Sequence, residues 1–249
     1  MTESTIAAET AAARSAPDQS LPARIFGVLL TPRATYAGVA ARPRVLGILL
    51  FVLLFGAAAI FLFLSTEVGK NAMLDNQVEQ MKSFGMNVTE QMIDRLEQGA
   101  DRQRYFAVGG QMVSLPLLAA IIAGLAFAVF NAVMGGDASF KQVYAVVVHS
   151  GVVFSFSQLF TLPLSYAREK MSSATNLGVF APFLDENSFA ARALGSVDLI
   201  VVWWLLSLSI GLGVLYKRKT GPIAQGLIGA YVLIGFIIAA VRTALSSGA

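Results

Sequence analysis

The stretch VLGILLFVLLFGAAAIFLFL, Val45 to Leu64, runs without one charged or strongly polar side chain. As an α-helix at 1.5 Å per residue it covers about 30 Å, the thickness of a bilayer's hydrocarbon core. Four further apolar runs of similar length follow, at Val113–Met134, Val143–Leu164, Val197–Tyr216 and Ile223–Val241. Only 13% of the chain is charged and 56% is hydrophobic, against about 25% charged in an ordinary soluble domain. The sequence therefore predicts an all-α polytopic membrane protein, five transmembrane helices in a bundle.

The connections set the topology. GGDASFKQ joins the second run to the third and KRKTGP joins the fourth to the fifth, so both pairs are tight hairpins. The segments 65–112 and 165–196 are much longer and lie on the other side. Arg14, Arg24, Arg33, Arg42 and Arg44 precede the first span, Lys141 sits in one short turn, and Lys217, Arg218 and Lys219 fill the other. Positive charge crowded beside short connections marks the cytoplasmic face. The N-terminus is expected inside and the C-terminus outside. The Ala/Gly-rich composition points to a bacterial inner membrane, and the small net charge of +3 gives no reason to expect a nucleic-acid partner.

Residues 1–20 are small and polar without an apolar period and are expected to be a disordered tail. The first apolar core begins too far into the chain for a signal peptide. Residues 21–44 place Ile25, Phe26, Leu29 and Leu30 beside arginines, and Thr31-Pro32 is a cap and first-turn pair for a second short helix. This segment is expected to lie in the headgroup plane as a cytoplasmic amphipathic anchor, with a partner-binding surface as the alternative. From 45 to 249 the chain is one membrane domain. In its outer loop, 65–112, Leu74, Val78 and Met81 recur at helical spacing; Asn87 and Glu90 resemble a capping box, and Gly99 a stop. An antiparallel helical pair between spans one and two is expected.

Read together, LTPRATYAGVAARP, MNVTEQMID, GGDASFKQVYAVVVHS, TNLGVFAPFLDENSFAARALGSVDLIVVWW and GLGVLYKRK resemble, in order and spacing, the Ypt-interacting protein (Yip) domain family in its bacterial form. The resemblance runs over nearly the whole chain from about residue 21. It implies five spans, a cytoplasmic N-terminus and an opposite C-terminus. Eukaryotic members of that family are associated with prenylated Rab-type GTPases and vesicle traffic; bacterial members have the same membrane domain without an assigned biochemical role. The DLYGP-type motif of the eukaryotic relatives is absent here, so GTPase binding does not carry over.

Polar side chains inside spans are costly and usually face protein or water. The candidates are Asn131, His149, Gln158 and Asp198. Asn131 and His149 flank the second-to-third turn and are expected to meet in a packing hydrogen bond, with proton relay or metal ligation as the alternative. One histidine without carboxylate or cysteine neighbours makes a poor metal site. Asp198 opens the fourth span, where it is expected to accept from backbone amides or pair with Arg192 or Arg242. A polar outer cavity with Gln158, Ser155 or Arg242 is its functional alternative. Gly136, Lys141, Lys217, Arg218 and Lys219 are candidate headgroup contacts. Ala120, Gly124, Ala128 and Ala132, with Gly211 in the fourth span, repeat small residues at the spacing that lets helices approach closely.

The chain has no cysteine, HExxH, P-loop or GxSxG motif, and His149-Ser150 diverge by roughly 100° on a helix. Neither a cofactor nor enzymatic activity is expected. Two functions stay open. The first is a noncatalytic scaffold or adaptor that organises lipids, a membrane-protein partner or further copies of itself. The second is a small-solute or lipid transporter using Asn131, His149, Gln158 and Asp198.

Overall fold

The computed structural model describes residues 19–171, 173–185 and 188–246. Of the tail expected to be disordered, only Gln19 and Ser20 fall within that range. The described residues form α1 (Leu21–Leu30), α2 (Pro32–Ala41), α3 (Leu46–Leu64), α4 (Glu67–Ser83), α5 (Glu90–Phe127), α6 (Phe140–Ser150), α7 (Val152–Arg168), α8 (Phe189–Gly195), α9 (Leu199–Leu215) and α10 (Thr220–Ser246). A π-helical turn, Ala128–Val133, extends α5, and a 3₁₀ turn, Leu177–Phe180, precedes α8. Among the described residues the only β feature is an isolated antiparallel bridge between Asn176 and Asp198.

Among the described residues, four helical segments are long and apolar enough to cross a bilayer: Leu46–Leu64, Glu90–Val133, Phe140–Arg168 and Thr220–Ala244. The fourth apolar run forms α9, whose 17 residues reach about 25 Å. Glu90–Val133 has 44 residues and extends about 66 Å, twice the hydrocarbon thickness, so much of its length must stand clear of any membrane core. Gly99 does not end it. A glycine costs a helix interior only about 1 kcal/mol, too little to stop a helix continuing into an apolar span. At its start the chain enters the helix at Thr89, whose carbonyl accepts from Met92 and Ile93. That is two residues after Asn87, the expected cap.

The chain forms two compact units. Of the described residues, the first comprises 19–51, Pro116–Val153 and Leu206–Ala224. Here α1 packs on α2 and both pack on α6. At the α1–α2 contact a Cβ on Gly27 would overlap the Thr35 hydroxyl, so only glycine allows the approach. Thr31 makes no side-chain cap bond; its carbonyl instead accepts from the Thr35 amide and hydroxyl. Tyr36 is fully buried, its hydroxyl 2.8 Å from that of Ser207 on α9. Gln142 of α6 donates to the Ala40 carbonyl at 2.9 Å. The segment expected to lie flat as an anchor thus supplies core residues, Ile25, Val28, Tyr36 and Val39, to this unit. Val143, Val146, Val147 and Val148 bury the facing side of α6. β-branched residues are poor intrinsic helix formers, so packing decides the helix here.

The second unit comprises the described residues of Val52–Leu115, Phe154–Leu205 and 225–246. In it α3 turns into α4 through Thr66, whose hydroxyl donates to the Phe63 carbonyl at 2.7 Å and accepts from Gly69 N at 3.0 Å. Phe63, Leu64 and Ala72 bury a small cluster over this bend. Lys70 bridges Glu67 at 2.9 Å and Asp101 at 2.7 Å, tying α4 to α5, and Gln103 donates to Gln77 at 3.1 Å. The ammonium is held above the usual lysine range, first by its hydrogen bond to Asp101 and then by that to Glu67. α4 closes with Gly85 at φ 75°, its amide bonding Lys82 and that of Met86 bonding Met81, the pattern of a glycine-terminated helix.

The small-residue stripe on α5 does not coincide with the buried line. Ala119, Ala123 and Phe130 are buried, whereas Ala120 and Gly124 are half-buried and Ala128 and Ala132 exposed. The stripe is one residue off, which on a helix is a turn of about 100°. The π-helical turn at its end shifts the register again.

Candidate functional site

Two polar constellations stand out, one in each unit. In the first unit the Gly135-Gly136 turn is closed by side chains from distant sequence. Gly135 takes φ 70°, and Gly136 N donates to the Phe130 carbonyl at 2.8 Å. Ser139 and Gln142 form a reciprocal capping box that starts α6. Asn131 Nδ2 donates to the Ala138 carbonyl at 2.7 Å, and its Oδ1 accepts from the Tyr216 hydroxyl at 2.6 Å. The Tyr216 ring stacks on Phe130, centroids 4.7 Å apart, and a Cβ on Gly136 would lie 2.7 Å from it. Arg218 Nη2 donates to the Met134 carbonyl at 3.0 Å. The Gly135 and Gly136 amides both donate to carbonyls of the preceding turn, so neither is a free donor of the kind a phosphate cradle needs. Gly136 and Arg218, two of the candidate headgroup contacts, are spent on closing it; Lys141, Lys217 and Lys219 are exposed.

His149 is fully buried, and Nδ1 lies 2.7 Å from the Ala145 carbonyl one turn back. A carbonyl only accepts, so Nδ1 carries the proton and Nε2 keeps its lone pair. Nε2 has no hydrogen-bond partner. The expected bond between His149 and Asn131 is therefore not made: Asn131 bonds Ala138 and Tyr216, and His149 bonds its own helix through Nδ1 alone.

The second unit holds a cavity of about 260 Å³ beside Asp198, just below the roughly 300–1,000 Å³ of small-molecule pockets. One wall is α7, which presents Phe154, Ser157, Thr161 and Ser165. The three hydroxyl positions are four residues apart, so they form a ladder on one helix face. Met171, Ser173, Ala174 and Thr175 come from the following loop, and Asp198, Ile200 and Val201 from the start of α9. The loop is held in place by antiparallel bonds, Leu177 N to Val197 O at 2.9 Å and Leu199 N to Thr175 O at 3.0 Å.

Asp198 caps α9, its Oδ1 accepting from Ile200 N at 2.7 Å. The same carboxylate accepts from the Thr175 hydroxyl at 2.9 Å and, on Oδ2, from the Ser173 hydroxyl. Its backbone amide donates to the Tyr231 hydroxyl at 2.9 Å, which in turn donates to the Ser196 carbonyl. Every donor to the carboxylate is neutral. Neither Arg192 nor Arg242 pairs with it; Arg242 stacks instead over Phe84 at 4.7 Å. Gln158 and Ser155 lie outside the cavity lining, and Gln158 Oε1 and Ser155 Oγ are buried without partners.

Thr161, Ser165, Ser173 and Thr175 were not singled out from the sequence. The four-residue recurrence of Ser157, Thr161 and Ser165 was visible there, but single serines in a span ordinarily bond back to their own helix, as Ser157 does to Phe154 at 2.9 Å. Tyr216 and Tyr231, the two hydroxyls that anchor the constellations, carry no motif at all. Among the described residues no three His, Asp or Glu side chains group as a metal site.

The chain matches the sequence model of the Yip1 domain over residues 26–242. No curated protein and no solved structure matches it significantly.

Proposed function

The chain belongs to the Yip1 domain family, and from that premise we propose that this membrane protein is a noncatalytic scaffold that organises lipids or protein partners in the bilayer. The observation that carries the reading is how its polar side chains are used. Asn131, Tyr216, Tyr36 and Ser207 are bonded to other groups of the chain. Such bonds hold helices in place, whereas a solute path needs polar groups free to exchange partners. We take the domain as five spans, counting α9, because about 25 Å of apolar helix suffices for a slightly thinned bilayer. The N-terminus is assigned to the cytoplasm and the C-terminus to the outside from the cations around the two short turns. A bacterial inner membrane is the setting we assign. The α4–α5 pair, projecting beyond the spans, is the surface we assign to partners.

Photo-crosslinking amino acids at exposed positions of this pair, Glu79 and Gln91, test it in native membranes. The expected result is a discrete adduct with one membrane protein, one lipid class or a second copy of the chain. The competing reading, a transporter using Asn131, His149, Gln158 and Asp198, is favoured by the partnerless Gln158 Oε1 and His149 Nε2. Solute or lipid flux in proteoliposomes that falls with His149→Ala or Asp198→Asn overturns the scaffold in its favour.

A further inference from the structure

We propose that the cavity beside Asp198 is a binding site for a small organic ammonium ion, free or as the amine of a lipid headgroup. Three features of the second unit select that chemistry. The Asp198 carboxylate carries a negative charge that only neutral hydroxyls and an amide touch. Among the described residues no lysine or arginine pairs with it or lines the cavity. The Ser173 and Thr175 hydroxyls donate to the carboxylate, so neither has its proton free for a ligand. An anion would here face the Asp198 carboxylate with no cation beside it.

The remaining walls choose among cations. One carboxylate is too little charge for a divalent ion, whose sites use several carboxylates and carbonyls. About 260 Å³ of space far exceeds a bare alkali ion. Phe154, Met171 and Val201 give the cavity an apolar side, and an aromatic ring favours a cation near its face. An ammonium group on a short carbon body satisfies both sides. Its N–H donors meet Asp198 and the Thr161 and Ser165 hydroxyls, and its carbons meet the apolar wall. Occupancy does not depend on whether the chain organises partners or moves a solute.

The test uses Trp204, whose ring lies 5.5 Å from that of Phe154. In full-length protein carrying Trp203→Phe, Trp204 is the single tryptophan. Its emission and the thermal midpoint are followed while butylammonium chloride or sodium chloride is added at constant ionic strength. A saturable response to butylammonium alone is expected, at least tenfold weaker with Asp198→Asn, which keeps an oxygen for the Ile200 amide. Thr161→Val, which leaves the α9 cap untouched, is expected to weaken it at least threefold. Equal titrations for parent and Asp198→Asn, equal responses to the two salts, or no response in either measurement overturn the proposal. The source is read from nanodiscs. Competition by phosphatidylethanolamine but not phosphatidylglycerol identifies a lipid headgroup, and equal curves in both identify a free amine; either supports the site.

Discussion

Gly211 and Gly124 both look like helix-packing positions in the sequence, yet the structure gives their alanine variants opposite signs. A Cβ on Gly211 would lie 2.5 Å from Val146 Cγ1 and 2.9 Å from the Tyr36 ring. Neither neighbour can withdraw easily: Val146 and Tyr36 are both fully buried, and Tyr36 is held by Ser207. Overpacking of this kind costs about 1–3 kcal/mol. A Cβ on Gly124 meets nothing within 4 Å, so Gly124→Ala gains only the helix propensity of alanine, about 0.5–1 kcal/mol. The two variants should differ by about 1.5–4 kcal/mol on these figures. Unfolding by SDS in mixed micelles, followed by circular dichroism, measures both. Loss of stability in Gly124→Ala equal to that in Gly211→Ala would refute the reasoning, since it would place a partner helix against Gly124.

Further outcomes follow from other contacts. Tyr216→Phe keeps the ring on Phe130 but removes the donor to Asn131, a loss of about 1 kcal/mol. A double-mutant cycle with Asn131→Ala should return a coupling of about 0.5–1.5 kcal/mol, and a coupling near zero would deny the bond. Lys217 sits at φ 51° after α9. Left-handed backbone costs an L-residue roughly 1–2 kcal/mol, so Lys217→Gly should stabilise by about 0.5–1 kcal/mol in the same SDS titration. Lys70 has a raised pKa, so its tie to Asp101 is fully present below the ordinary lysine value of 10.5 and is lost as pH rises through the higher folded value. Proteolysis near Gly85 should therefore stay constant from neutral pH up to about 10.5 and quicken only above it; quickening near pH 8 would contradict the assignment. Asp101→Asn should quicken it already at neutral pH, less so in high salt.

What could be read along the chain was whatever depends on neighbours in sequence. Four of the five apolar runs lie in helices long enough to cross a bilayer, because a span needs only length and composition, and the fourth forms the shorter α9. The Ser139/Gln142 capping box formed because its two partners are three residues apart on one turn. Gly99 and Asn87 misled for the same reason that local signals are weak. Each is worth about 1 kcal/mol; a helix continuing into an apolar span outweighs Gly99, and the helix starts from Thr89, past Asn87.

The tertiary structure decided everything that joins residues far apart. Asn131 is bonded across 85 positions to Tyr216, and Tyr36 across 171 to Ser207; no periodicity encodes such pairs. The α5 stripe shows the limit most directly, because a spacing of four specifies a helix face but not which neighbour it meets. Rotation by a single residue exchanges Ala120 and Gly124 for Ala119 and Ala123 as the buried positions. The cavity beside Asp198 is a property of three chain segments at once. The sequence contains its hydroxyl ladder and its carboxylate, but only packing sets α7, the 171–175 loop and the start of α9 around one space.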